Sequence, residues 1–250
     1  MRTMTLGTML FAATALALSA SAQTTPSAPA ITRTIVAATK LPSVVETPLD
    51  FRAVRVTLQP GGKSSLSAAN GILYQLSGST EISLGGESKV LGAGEALSVA
   101  AGKTASLSVG SGAPSILLYF LLAPAAELGR PTATAPATET ELYRTMAPIP
   151  DLKPGGYDLN LTRVTFPAGM PSNPPHHRSG AALYYIVSGT GANTVDRTTK
   201  TRGPDSLIYE PFGLVHQWGN PGGEPLTFLA FNINPDGVAA VLPDTPAKAQ

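Results

Sequence analysis

Cysteine is missing altogether from this 250-residue chain. Disulfide staples and thiolate metal ligands are therefore excluded, and any transition metal would have to be held by imidazole, carboxylate or water. Charge is scarce as well, at 13% of residues with a formal net charge of +1 and no run of lysine or arginine. That removes the basic footprint expected of a nucleic-acid binder or of a protein attracted to an anionic membrane. No glycine-rich phosphate loop, no nucleophile elbow and no cysteine nucleophile is present, and Ser179 lacks an oriented acid partner in the sequence. Aromatic residues are only 6%, with one tryptophan and three histidines. What the chain has in abundance is turn formers, 25 glycines and 23 prolines. This bias favours many short strands joined by turns, and so an all-β architecture.

An apolar stretch from about Leu6 to Leu18 follows Arg2 and precedes Ala20-Ser21-Ala22. It is shorter than the ~20 residues that span a bilayer and ends in a small-x-small cleavage pattern. Residues 1–22 are therefore expected to be a signal peptide cleaved near Ala22, leaving a secreted or periplasmic protein with no stable membrane span. Residues 23–45 open on a segment rich in Thr, Ser, Ala and Pro, and residues 129–150 contain a similar one, RPTATAPATET. Both are expected to be flexible, as is the tail at 237–250. Two blocks remain, 46–128 and 151–236, each long enough for one small domain.

The blocks are copies of one another. RVTLQPGG from Arg55 matches RVTFPAGM from Arg163, and from Tyr74 to Phe120 the first block lies on the second without a gap at an offset of 111 residues. Tyr74 falls on Tyr185, Gly92 on Gly203, Gly102 on Gly213, Pro114 on Pro225 and Phe120 on Phe231. Turn residues match turn residues, while short apolar or alternating runs between them suit strands. All three histidines lie in the second copy. His216 falls on Ala105, and the loop carrying His176 and His177 corresponds to SLSAANG from Ser65, which has no imidazole.

GMPSNPPHHRSGAALYYIVSGTG from Gly169 and GPDSLIYEPFGLVHQWGN from Gly203 resemble the two sequence motifs of the cupin family. The resemblance covers essentially all of 151–236 and reaches the first block only through the repeat. It implies a bicupin: two tandem double-stranded β-helix barrels of jelly-roll type, the N-terminal one degenerate. It also implies that His216 is a metal ligand. In the family pattern two histidines one residue apart precede a glutamate, and here those positions fall on His176, Arg178 and Ala182. Alternation on a strand puts His176 and Arg178 on one face and His177 on the other, unless a bulge at Ser179-Gly180 re-aims His177. The candidate ligands are thus His176, His177 and His216, for a divalent transition metal that the sequence does not distinguish among Mn, Fe, Ni, Cu and Zn. Asp205 and Glu210 lie near the second motif but off the family's ligand positions, and Glu210 reads as a solvated strand or turn residue. Arg178, Tyr184 and Trp218 are candidate substrate contacts: a guanidinium suits a carboxylate or phosphate, and an indole can stack on a ligand. The commoner alternative is that Arg178 is a surface side chain and that the aromatics are packing residues.

The expectation is a small-molecule protein, possible as a homo-oligomer. One reading is a metalloenzyme of the dioxygenase, decarboxylase or isomerase kind. The alternatives are a non-catalytic binder of a sugar or organic anion and a structural cupin with a decayed site.

Overall fold

A computed structural model describes residues 30–41, 48–67 and 69–244. Residues 1–22, expected to be a signal peptide, the start of the Thr/Ser/Pro-rich stretch and residues 245–250 lie outside the described residues. The first half contains β1 (Thr32–Leu41), β2 (Leu49–Leu58), β3 (Lys63–Ser67), β4 (Asn70–Ser77), β5 (Ser79–Leu84), β6 (Glu87–Gly92), β7 (Ala96–Val99), β8 (Thr104–Ser108) and β9 (Ser115–Pro124). The second contains β10 (Thr138–Arg144), β11 (Tyr157–Phe166), β12 (His176–Arg178), β13 (Ala181–Ser188), β14 (Gly191–Val195), β15 (Thr198–Arg202), β16 (Leu207–Glu210), β17 (His216–Gly219), β18 (Leu226–Pro235) and β19 (Val241–Pro243). Among the described residues a single 3-10 turn, at Ala125–Glu127, interrupts an otherwise all-β architecture. No helix among the described residues is long and apolar enough to cross a membrane.

Each half is a pair of antiparallel sheets. In the first, β10-β2-β9-β4-β7 faces β3-β8-β5-β6; in the second, β1-β11-β18-β13-β16 faces β15-β14-β17-β12-β19. The strand order reveals an exchange. β1 precedes the first barrel but pairs along its length with β11 of the second, and β10 pairs with β2 of the first. The segments expected to be flexible at 23–45 and 129–150 therefore contain edge strands, and the tail at 237–250 contributes β19, which pairs with β12. Composition misled here because small polar residues can also make strand edges when a partner ladder is available. Residues 130–134 are likewise pinned: Thr134 N donates to Ser65 O at 2.9 Å, and Ser67 N donates to Thr132 O at 2.8 Å. Arg52, 4% exposed, donates to Glu141 at 2.6 Å, to Glu139 at 2.9 Å and to the Arg130 carbonyl at 3.0 Å.

Period-two alternation divides the apolar residues among three cores. On β2, Val54, Val56 and Leu58 point into the first barrel, while Phe51 and Ala53 point the other way. The outward set meets Leu159, Leu161, Leu183, Tyr185 and Phe231 of the second half, forming a core between the barrels. Phe120 and Phe231, equivalent in the repeat, lie 5.8 Å apart at its centre. Tyr184, Ile186, Trp218 and Phe228 belong to the core inside the second barrel.

Candidate functional site

The second barrel concentrates its polar interior where β12, β13, β16 and β17 converge. His176 is directly opposite His216 in the strand register, and the two rings stand 4.3 Å apart between centroids. Gly180 lets β12 turn into β13, since a Cβ there would meet the Ile233 carbonyl at 1.8 Å. Gly213, with φ of 69°, makes the turn that delivers His216. His177 lies on the opposite face of β12 from His176, pairing with Leu242. Of the two adjacent histidines, the structure brings His176 to His216 and leaves His177 apart.

Both facing imidazoles are oriented by the backbone. His216 Nδ1 donates to the Leu214 carbonyl and His176 Nδ1 to the Pro174 carbonyl, each at 2.9 Å. A carbonyl can only accept, so each Nδ1 carries hydrogen. His216 Nε2 is buried, 3.0 Å from Glu210 Oε2, but makes no aligned hydrogen bond. Burial and the opposing His216 and Arg178 hold His176 below the ordinary histidine value, against a smaller upward pull from the Pro174 carbonyl and Glu210.

Glu210, expected in solvent, is 1% exposed. It stands directly across from Ala182, the position where the family pattern places its glutamate, so a neighbouring strand brings a carboxylate to the same face. The signal that would have revealed it is register, which the linear motif does not encode. Trp218 Nε1 donates to Glu210 Oε1 at 3.0 Å, and Arg178 Nε approaches Oε2 at 3.3 Å. Burial alone would raise the Glu210 carboxyl; His216, Arg178 and Tyr184 outweigh it and keep it below its usual value.

Arg178 is not a surface residue: it is 8% exposed, donates through Nε to the Tyr184 hydroxyl at 2.6 Å, and places its guanidinium carbon 5.0 Å from the Tyr184 ring centre. Tyr184 and Trp218, candidates for ligand contact, are buried at 1% and 2% exposure and pack on Phe228. They hold Arg178 and Glu210 in place from within the core.

A cavity of about 390 Å³ opens between the free edges of β15 and β16, with Glu210, Ile208, Asn193, Lys200 and Arg202 on its walls. Asn193 is 3% exposed, and among the described residues neither its Nδ2 nor the buried Nε of Arg202 has a hydrogen-bond partner. Sequence reasoning missed both, because neither lies in the family motifs' ligand positions.

The family implies a metal, and the donor set decides whether one fits. Two imidazoles meet, but the second histidine position is Arg178 and the glutamate position is Ala182. Glu210 is already engaged by Arg178 and Trp218. Two unit charges about 4 Å apart at an effective dielectric of 20 interact by about 4 kcal/mol, and a divalent ion doubles the repulsion from a buried guanidinium. Among the described residues no three histidine, aspartate or glutamate side chains form a cluster able to hold a metal ion. The residues present do not fit the metal centre that the family pattern implies.

Comparison with known proteins places this architecture. Residues 162–232 match the Cupin domain family model. A search of curated proteins finds no match. Among solved structures, a Bacillus subtilis oxalate decarboxylase aligns with a TM-score of 0.54 at 16% identity, covering 82% of this chain and 79% of its own. A salicylate 1,2-dioxygenase variant from Pseudoaminobacter salicylatoxidans gives 0.53 at 10% identity, covering 78% and 77%. AerE from Microcystis aeruginosa gives 0.53 at 15%, covering 76% and 95%. Residues 162–232 thus carry the cupin domain match, and the two-barrel fold of the described residues is the one seen in these solved structures.

Proposed function

We propose that the second barrel binds a small organic anion in the cavity beside Glu210, and that the first barrel is a scaffold. The observation that carries this reading is the pair of buried, unpartnered donors on one cavity wall, Asn193 Nδ2 and Arg202 Nε. A buried donor left unsatisfied costs about 1–3 kcal/mol, which a ligand oxygen returns. Charge points the same way. Arg178 offsets Glu210, leaving Lys200 and Arg202 against Asp196 on the walls. A carboxylate offers acceptors to Asn193, Lys200 and Arg202, and the volume lies within the usual range for a small ligand. Solved structures of this fold include an oxalate decarboxylase and a salicylate dioxygenase in complex with gentisate, both named for small acids.

The test is thermal unfolding with oxalate, salicylate and gentisate, using glucose as the neutral control. The acids should raise Tm in the wild-type chain and lose the effect in Lys200→Gln/Arg202→Gln. No shift with any of the three, or a shift that survives the double substitution, overturns the reading.

A metal-dependent dioxygenase, decarboxylase or isomerase is the second reading. One observation favours it: His176 and His216 face each other with both Nδ1 atoms anchored on carbonyls, an orientation that also suits metal ligation. Export through residues 1–22 completes the proposal, and a secreted or envelope-fraction protein whose measured mass begins at Gln23 would support it.

A further inference from the structure

We propose that the guanidinium of Arg178 is the built-in cation of the second barrel and keeps metal ions out of it. The elements of a cation site are gathered around this side chain. Glu210 supplies a buried carboxylate opposite Ala182, and His176 and His216 supply imidazoles locked by the Pro174 and Leu214 carbonyls. Arg178 shares a strand face with His176 and reaches the same Glu210 oxygen, Oε2, that lies 3.0 Å from His216 Nε2. Its Nε is held by Tyr184 and its plane lies near the Tyr184 ring, so the charge has a fixed seat. A tethered cation cannot be diluted away or chelated, and it repels any ion approaching the two imidazoles. Substitution at one position thus separates a metal-free barrel from a metal-binding one.

This inference concerns the buried cluster, and it stands or falls independently of anion binding at Lys200 and Arg202. The experiment measures metal content and Co2+ optical titration on the full chain, purified without a histidine tag, for wild type, Arg178→His, Arg178→Lys and Arg178→His/His216→Ala. Wild type and Arg178→Lys should carry no stoichiometric metal after dialysis against Zn2+, Mn2+ or Co2+. Arg178→His should take up about one ion per chain, with Co2+ affinity raised by more than about a hundredfold, and His216→Ala on that background should abolish it. If Arg178→His does not fold alone, refolding with Co2+ is the readout, and recovery that requires the ion supports the proposal. Near-stoichiometric metal in wild type that is lost in His216→Ala overturns it. So does a folded Arg178→His that binds no ion, or one that fails to refold with Co2+.

Discussion

Where the second barrel carries Tyr184, Asn193, Arg202, Glu210, His216 and Trp218, the first carries Leu73, Ile82, Leu91, Val99, Ala105 and Leu107 at the same offset. All of the latter lie in the first barrel's core. The strand register adds one more pair: Leu66 faces Ala105 as His176 faces His216. One frame therefore holds two sets of inward residues, an apolar one and a polar one. The frame depends on turns and on the outward faces of β2, β4, β9 and their copies, which pack barrel to barrel. The inward faces are free to differ.

The shared part of the frame predicts the largest equal effects. Phe120→Ala and Phe231→Ala remove equivalent rings from the core between the barrels, and each should cost about 3–5 kcal/mol in urea unfolding. Similar losses from the two would confirm that the halves share one interface; a large effect from only one would break the equivalence.

At an inward position the copies should diverge. Glu210→Ala strands the buried Arg178 charge and should cost about 3–5 kcal/mol, whereas Val99→Ala should cost about 2 kcal/mol through lost burial and a small cavity. Converting the polar pair to first-barrel chemistry, Arg178→Met/Glu210→Val, should return stability to within about 1 kcal/mol of wild type or above it. That outcome would identify the pair as a functional retention, whereas a loss as large as that of Glu210→Ala would show that the polar interior also holds the barrel together.

Acid should act on the second barrel first. The folded values of His176 and Glu210 lie below their ordinary 6.5 and 4.5, so their contributions are complete above those values and are lost as pH falls through the folded ones. Stability measured against pH should decline in two stages. The upper stage, beginning below 6.5, should disappear in His176→Gln, and the lower, beginning below 4.5, in Arg178→Met/Glu210→Val.

The smallest effect is expected at the rim of the interface. Arg55 meets Asp205 at 2.8 Å, with side-chain exposures of 32% and 67%, and its repeat counterpart Arg163 lies beside Gly94, the equivalent of Asp205. Arg55→Ala should cost under about 1 kcal/mol and Arg163→Ala no more.

The two-barrel fold was legible because turn residues recur at a fixed offset and survive even where the interior has been replaced. His216 was legible for the same reason, being tied to the Pro211-x-Gly213 turn. Choosing between His176 and His177 needed the register of β12 against β17, and recognising Glu210 needed the register of β13 against β16. Neither is a property of neighbouring letters. β1 and β10 were hidden because their small polar residues resemble linkers, although Thr32-x-Thr34 and Thr138-x-Thr140 carry a period-two pattern that a search for edge strands would have caught. Their partners lie in the other half of the chain, beyond the reach of local propensity.

The exchange of β1 and β10 also bears on what a single barrel would do if cut loose. Residues 130–244 alone would carry β10 with no β2 to receive it and β11 with no β1 beside it, along with a bare apolar face. Two such fragments could satisfy each other reciprocally, β10 of each lying along β11 of the other, in a closed twofold dimer. In the intact chain the tether supplies that partner at high effective concentration, so the same assembly forms within one molecule and is insensitive to dilution.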